Sequence, residues 1–268
     1  MKNDPSGESR DTDRKLIIPD DLGMHYYKGF LCEEEKAIYD LIERSAEELR
    51  QETPVPCRAD RTGIFTAYKA YFYDHREKYY LGTRITVRNK MIYFPFLYSR
   101  EQTTEIDPHV KRMIMSFADD SHCPESVMDR ARSVYSRVTK ECSYSDSGKT
   151  WEHNLAGIGL FRKGVCEGIG SSLAVCLRKA GIPSAEVTGT MGGRNHTWTK
   201  VETLKSTILI LPWISGKLHF HSSVFRKMRY PADVLFSHLR KRFASADRKS
   251  AAKQINSPIK GVQLRHMQ

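Results

Sequence analysis

Nowhere in the 268 residues is there an uninterrupted apolar run long enough to cross a bilayer, which takes about 20 residues as a helix. The opening stretch, Met1 to Arg14, is polar and holds no apolar segment of the signal-peptide kind. Cysteine is sparse: six residues, Cys32, Cys57, Cys123, Cys142, Cys166 and Cys176, with no CxxC pair among them. That scatter argues against a disulfide framework and for free thiols in a reducing compartment. A soluble, cytoplasmic protein without a membrane span is therefore expected. No internal repeat is visible, which excludes solenoid and propeller architectures.

What is present is a chain of ordinary globular composition, 40% hydrophobic and with a formal net charge of +11. The charge is not spread over the chain. From Val224 to Gln268 there are eleven Lys and Arg against two Asp, so nine of the eleven net charges sit in that tail. A nucleic-acid partner, which needs a folded basic face, is not expected. Four regions follow from the composition: a disordered N-terminus over 1–20, a helical and hairpin-bearing region over 21–118, a core over 119–223, and a basic, largely disordered tail over 224–268.

Periodicity fills in the elements. Ala37, Ile38, Leu41, Ile42, Ala46 and Leu49 form a helical stripe behind Glu33, Glu34 and Glu35, three carboxylates where the helix dipole favours them. Thr62 to Tyr73 reads as a second, aromatic-rich helix, after which Asp74 and His75 lead into a strand region. Thr83 to Val87 and Met91 to Leu97 read as a hairpin, with Pro95 placing its second strand at an edge or a bulge. Pro108 to Phe117 and Pro124 to Cys142 read as helices opened by proline, and Ser143 to Trp151 as a loop. Ala185 to Thr190, His196 to Glu202, Thr207 to Leu211 and Leu218 to His221 read as four short strands whose tight connections force antiparallel pairing. A last helix is expected from Pro231 to Phe243. Helices followed by a meander make the fold class α+β.

Between the helices and the meander lies Lys163-Gly164-Val165-Cys166-Glu167-Gly168-Ile169, a cysteine flanked by glycines just before a helical stripe of Ile169, Leu173, Cys176 and Leu177. Gly181 and Pro183 end that helix. Cys166 thus stands at the helix N-terminus, where unpaired amides favour a thiolate, whereas Cys176 belongs to the apolar face. On the strand beginning at His196, a period of two puts His196 and Trp198 on one face and Thr197, Thr199 and Val201 on the other. If the strand packs beside that helix end, an imidazole and a thiol can form the pair that nucleophilic catalysis requires.

Gly164-Val165-Cys166-Glu167-Gly168, then Ala180-Gly181-Ile182-Pro183, Val187-Thr188-Gly189 and Asn195-His196-Thr197-Trp198 together resemble the core of the transglutaminase-like superfamily. Glu152-His153-Asn154 and Gly157 resemble the segment that precedes the cysteine there. The resemblance implies a papain-like core, a thiol-bearing helix packed on an antiparallel meander. It further implies Cys166 as nucleophile, His196 as base and then acid, and a protein or peptide amide as substrate. Neither a metal nor an organic cofactor is expected. The family's third residue is an aspartate on the strand after the histidine strand. Here Leu211 occupies that position, and no Asp occurs between His196 and Trp213. Glu202, His219 and His221 are the candidates to stand in for it, with Trp198 expected as a pocket wall. His219 and His221, two apart on one strand face, lack a further Cys or carboxylate to complete a metal site and read as a solvated polar face. The competing expectation is a catalytically inactive module on the same fold that binds a protein or nucleic-acid partner. The oligomeric state is left open.

Overall fold

Three glutamates at the first turn and the Cys32 amide, which donates to Glu35 Oε2 at 3.1 Å, start α1 (Glu33–Glu47) where its stripe begins. Its buried side chains Ile38, Tyr39, Ile42 and Ala46 pack on α2 (Arg61–Asp74), whose Asp60 cap accepts from the Gly63 amide at 2.5 Å. The computed structural model describes residues 25–56, 59–119, 126–191, 194–202 and 207–210. Ile64, Ala67, Tyr68, Tyr71 and Phe72 of α2 are all buried.

Beyond α2 the chain departs from expectation. Residues 75–85 form turns rather than a strand, with a single bridge from Leu81 to Phe96, and they bury His75, Arg76 and Glu77. Charged residues enter the core here because each finds a partner, which no hydropathy pattern signals.

The hairpin forms, as β2 (Thr86–Arg88) and β3 (Met91–Tyr93), joined by Asn89 and Lys90 at φ 50° and 57°. Two successive left-handed residues make the turn that matches strand twist. β3 is not an edge strand, however. It pairs on its other side with β1 (Glu52–Pro54), giving the order β1-β3-β2. The ladder ends at Tyr93, so Pro95 never has to donate to it; its carbonyl instead accepts from the Gly82 amide at 2.7 Å.

α3 (Arg100–Phe117) also starts earlier than Pro108 suggests. Ser99 accepts from the Gln102 amide at 3.3 Å while Gln102 Oε1 accepts from the Ser99 amide at 2.9 Å, a capping box that sets the start and leaves Pro108 inside the helix. α4 (Val127–Glu141) buries Ala131, Val134, Tyr135 and Val138. The segment expected as a loop contains β4 (Ser143–Tyr144), paired in parallel with β5 (Lys163–Gly164), and a 3-10 turn over Thr150–His153. Between them α5 (Leu155–Phe161) begins at Asn154, whose side chain accepts from the Ala156 amide at 3.0 Å.

α6 (Cys166–Lys179) is the central helix, buried from Gly168 through Arg178, and Gly181 at φ +70° ends it. One side meets α3, α4 and α5, where Cys176 Sγ lies 3.8 Å from Met113 Sδ as the apolar stripe predicts. The other side meets the sheet of β6 (Ser184–Met191), β7 (Arg194–Glu202) and β8 (Thr207–Ile210), antiparallel in that order. The fold is α+β, with the thiol-bearing helix on an antiparallel meander. A single hydrophobic cluster runs from Tyr27 to Val201, joining the N-terminal helices to α6. The expected fourth strand, the Pro231 to Phe243 helix and both tails lie outside the described residues.

Candidate active site

Cys166 is the first residue of α6 and is half-buried. Its position is set from behind by Glu152, whose carbonyl accepts from the Val165 amide at 2.9 Å. The Glu152 carboxylate is fully buried and accepts from Ser145 Oγ at 2.5 Å and from the Ser147 and Lys149 amides, both at 2.9 Å. Burial works against the charge, but these donors hold the group down to about 2. Gly168 completes the seat: a Cβ there would lie 3.1 Å from the Glu152 carbonyl carbon and would clash with its oxygen. The turn bearing Glu152 and the start of α6 therefore approach backbone to backbone.

Burial is the largest influence on the Cys166 thiol and raises its pKa, while the Thr197 backbone and hydroxyl and the Glu167 amide pull the other way. His196 is half-buried and burial lowers it, which makes the imidazole neutral at pH 7. Among the described residues no hydrogen bond joins the two; His196 Nε2 is buried without a partner, and its ring packs edge-on to Trp198 with centroids 4.9 Å apart. Alternation along β7 explains this. Thr199 Oγ1 donates to the Gly170 carbonyl of α6 at 2.8 Å, so Thr197, Thr199 and Val201 take the helix face and His196 and Trp198 the other. Alternation divides the faces as the sequence predicts, but the expected thiol–imidazole pair needs the His196 face on α6, and the face that meets the helix is that of Thr197, which the sequence does not single out.

Trp198 is half-buried and covers Gly189, where a Cβ would meet Trp198 Cζ3 at 3.0 Å. Glu202 lies in β7 six residues from His196, about 20 Å along the strand at ~3.3 Å per residue. His219, His221 and Leu211 lie outside the described residues.

Behind Cys166 runs a line of alternating charge that no motif signalled. His153 Nδ1 is 3.1 Å from Glu167 Oε2, Glu167 Oε1 is 3.1 Å from Arg76 Nη2, and Arg76 Nε is 2.8 Å from Glu186 Oε2. The last contact is an ion pair in distance without hydrogen-bond alignment. Arg76 also donates from Nη2 to the His153 carbonyl at 3.0 Å and lies 4.2 Å from the Phe72 ring centre. Burial opposes charge on Glu167, yet His153 and Arg76 hold its pKa below the ordinary value, and Glu167 in turn raises His153. Glu186, fully enclosed, is pushed up by burial to about 7 in spite of Arg76. Glu167 is thus the link between the start of α6 and the α2 end of the core.

Residues 116–214, from the last turn of α3 through the three-stranded sheet, match the family model described as the transglutaminase-like superfamily. This segment is a transglutaminase-like domain. Cys166 and His196 both fall within it. A solved structure titled as a TGase is similar at 14% identity and a TM-score of 0.38, over 65% of this chain and 53% of that one, so the match spans about half of that chain's length. No curated protein matches the chain. Among the described residues, no helix is long and apolar enough to cross a membrane.

Proposed function

We propose that the transglutaminase-like domain, which we take to fill 119–223, is a thiol acyltransferase or hydrolase acting on protein or peptide amides through Cys166 and His196. The observation that carries this reading is the half-buried Cys166 at the first position of α6 inside the matched segment, with Glu152 and Gly168 holding that helix end in place. The thiol attacks a carboxamide carbonyl, a C–S bond forms as the C–N bond breaks, and His196 passes the thiol proton to the departing amine or ammonia. An amine or water then resolves the thioester, giving transamidation in the first case and deamidation or peptide cleavage in the second. The free amides of the first α6 turn are suited to hold the developing oxyanion. With no acidic partner for its imidazole among the described residues, His196 works as a neutral base on a neutral thiol. Pairing requires the start of β7 to turn His196 toward α6, a local motion at a strand end.

The second reading, a catalytically inactive module on the same fold, draws support from the absence of a Cys166–His196 hydrogen bond among the described residues. One experiment separates them. The alkylation rate of Cys166 by iodoacetamide is followed against pH in the full chain and in His196→Ala, alongside incorporation of a fluorescent primary amine into a glutamine-rich protein. Catalysis through a neutral thiol and a neutral base predicts an alkylation rate near pH 7 that falls in the variant, and amine incorporation or hydrolysis abolished by Cys166→Ala. An alkylation profile indifferent to His196→Ala, with no turnover, favours the binding module.

A further inference from the structure

A second cluster of chemistry-bearing residues lies where α1 and α2 meet the residues just before a 3-10 turn at Lys28–Phe30. His25, Glu43 and His75 each bring one potential ligand atom into a group whose members lie within 4.8 Å of one another. We propose that these three side chains form a binding site for a divalent ion of the zinc type, separate from Cys166 and unconnected with acyl transfer.

The donor set is two imidazoles and one carboxylate, a combination that suits zinc and leaves its fourth position to water. Tetrahedral zinc with bonds of about 2.0–2.2 Å keeps its ligand atoms roughly 3.3 Å apart. His75 Nε2 and Glu43 Oε1 already stand 3.3 Å apart. Closing the widest separation needs a shift of about 1.5 Å, within the reach of a rotamer adjustment at the half-buried Glu43 or the exposed His25.

The independent observation is His75 itself. It is only 8% exposed, and its Nε2 is fully enclosed with no aligned hydrogen-bond partner among the described residues although it points at Glu43. A buried ring nitrogen whose one near neighbour, Glu43, is poorly aligned makes a weak interaction that a metal bond would replace. The outer contacts are those of metal-bound histidines. His75 Nδ1 lies 2.7 Å from Glu77 Oε1, which fixes the ring and directs Nε2 to the cluster. His25 Nδ1 lies 3.3 Å from the Tyr39 hydroxyl, which donates to Asp74 Oδ2 at 3.1 Å, and Asp74 is itself held by the Tyr27 and Lys28 amides at 2.9 and 3.0 Å. Among the described residues, Lys28 Nζ is the lysine or arginine cation that faces Glu43 and competes, 3.8 Å from Oε2, and it has Asp40 at 2.7 Å as a closer partner. The ion would tie the chain at His25 to the junction of the two helices.

The test uses zinc chloride on the full chain carrying Cys166→Ser, so that the active-site thiol is not a competing ligand. One equivalent binds, and at a hundredfold excess over Kd the unfolding midpoint rises by roughly 5 °C or more. Cobalt(II) gives the visible absorption of a four-coordinate site without a thiolate band. His25→Ala and Glu43→Gln, neither of which opens a core cavity, weaken zinc binding at least tenfold. Absence of any zinc-dependent shift overturns the proposal. So does zinc binding left unchanged by both variants, which would place the ion elsewhere. Neither result bears on amine incorporation by Cys166, so this site and the thiol chemistry fail independently.

Discussion

Arg76→Met removes the cation at the centre of the charge line behind Cys166. Arg76 is 5% exposed and its main partner Glu186 is 1% exposed, so neither charge is relieved by water. Taking away one member of a buried pair costs about 3–5 kcal/mol because the other is left uncompensated. Glu186 has an escape: at about 7 it is already close to neutral, and without Arg76 it takes up a proton at neutral pH. The cost is therefore expected near the lower bound, about 3 kcal/mol, or a fall of roughly 6–12 °C in unfolding midpoint for a protein of this size. The pH dependence has a definite sign. A carboxyl raised in the folded state binds its proton more tightly there, so its contribution is complete below the ordinary carboxyl range and is lost as pH rises through about 7. Arg76→Met moves that loss to higher pH, and the variant is closest to the parent near pH 5. Replacing the pair by Arg76→Met with Glu186→Leu recovers most of the loss, since apolar substitution of a buried ion pair is often neutral or better. Urea unfolding of the parent, both single variants and the double variant gives the coupling energy. A single-variant cost below about 1 kcal/mol, with no coupling, would show that the pair is solvated and refute the reasoning.

Other outcomes follow from the same geometry. Glu152→Gln leaves the Ser147 and Lys149 amides facing a weaker acceptor and costs on the order of 2 kcal/mol at pH 7. Because the Glu152 pKa is depressed to about 2, that advantage over the variant shrinks as pH falls from the ordinary carboxyl value toward 2, which acid titration of stability in both proteins measures. Gly168→Ala gains helix propensity of about 0.5–1 kcal/mol but forces its methyl onto the Glu152 carbonyl, at an overpacking cost of about 1–3 kcal/mol. A net loss of stability and a changed alkylation rate at Cys166 are expected. Gly29→Ala, where a Cβ meets nothing within 4 Å, is the control that should move neither.

Chain-local chemistry was enough for α1, α2 and α6, because a stripe of apolar residues at helical spacing and a cap or a left-handed glycine depend only on neighbours a few positions away. It was enough, too, for the hairpin turn at Asn89 and Lys90 and for Cys166 at a helix start. Pro108 and Pro95 misled for the same reason: proline marks where a helix can begin or a ladder must stop, while the Ser99 capping box and the end of pairing at Tyr93 made those choices. Tertiary structure alone decided which face of β7 meets α6. A period of two yields two faces and no preference between them when one carries Thr and Val and the other a Trp. Packing put Thr197 beside the thiol and left His196 against Trp198. Tertiary structure likewise decided that His75, Arg76, Glu77 and Glu186 are interior residues. Their partners lie on other elements, up to 110 positions away between Arg76 and Glu186, and a charged residue becomes a core residue only when such a partner arrives.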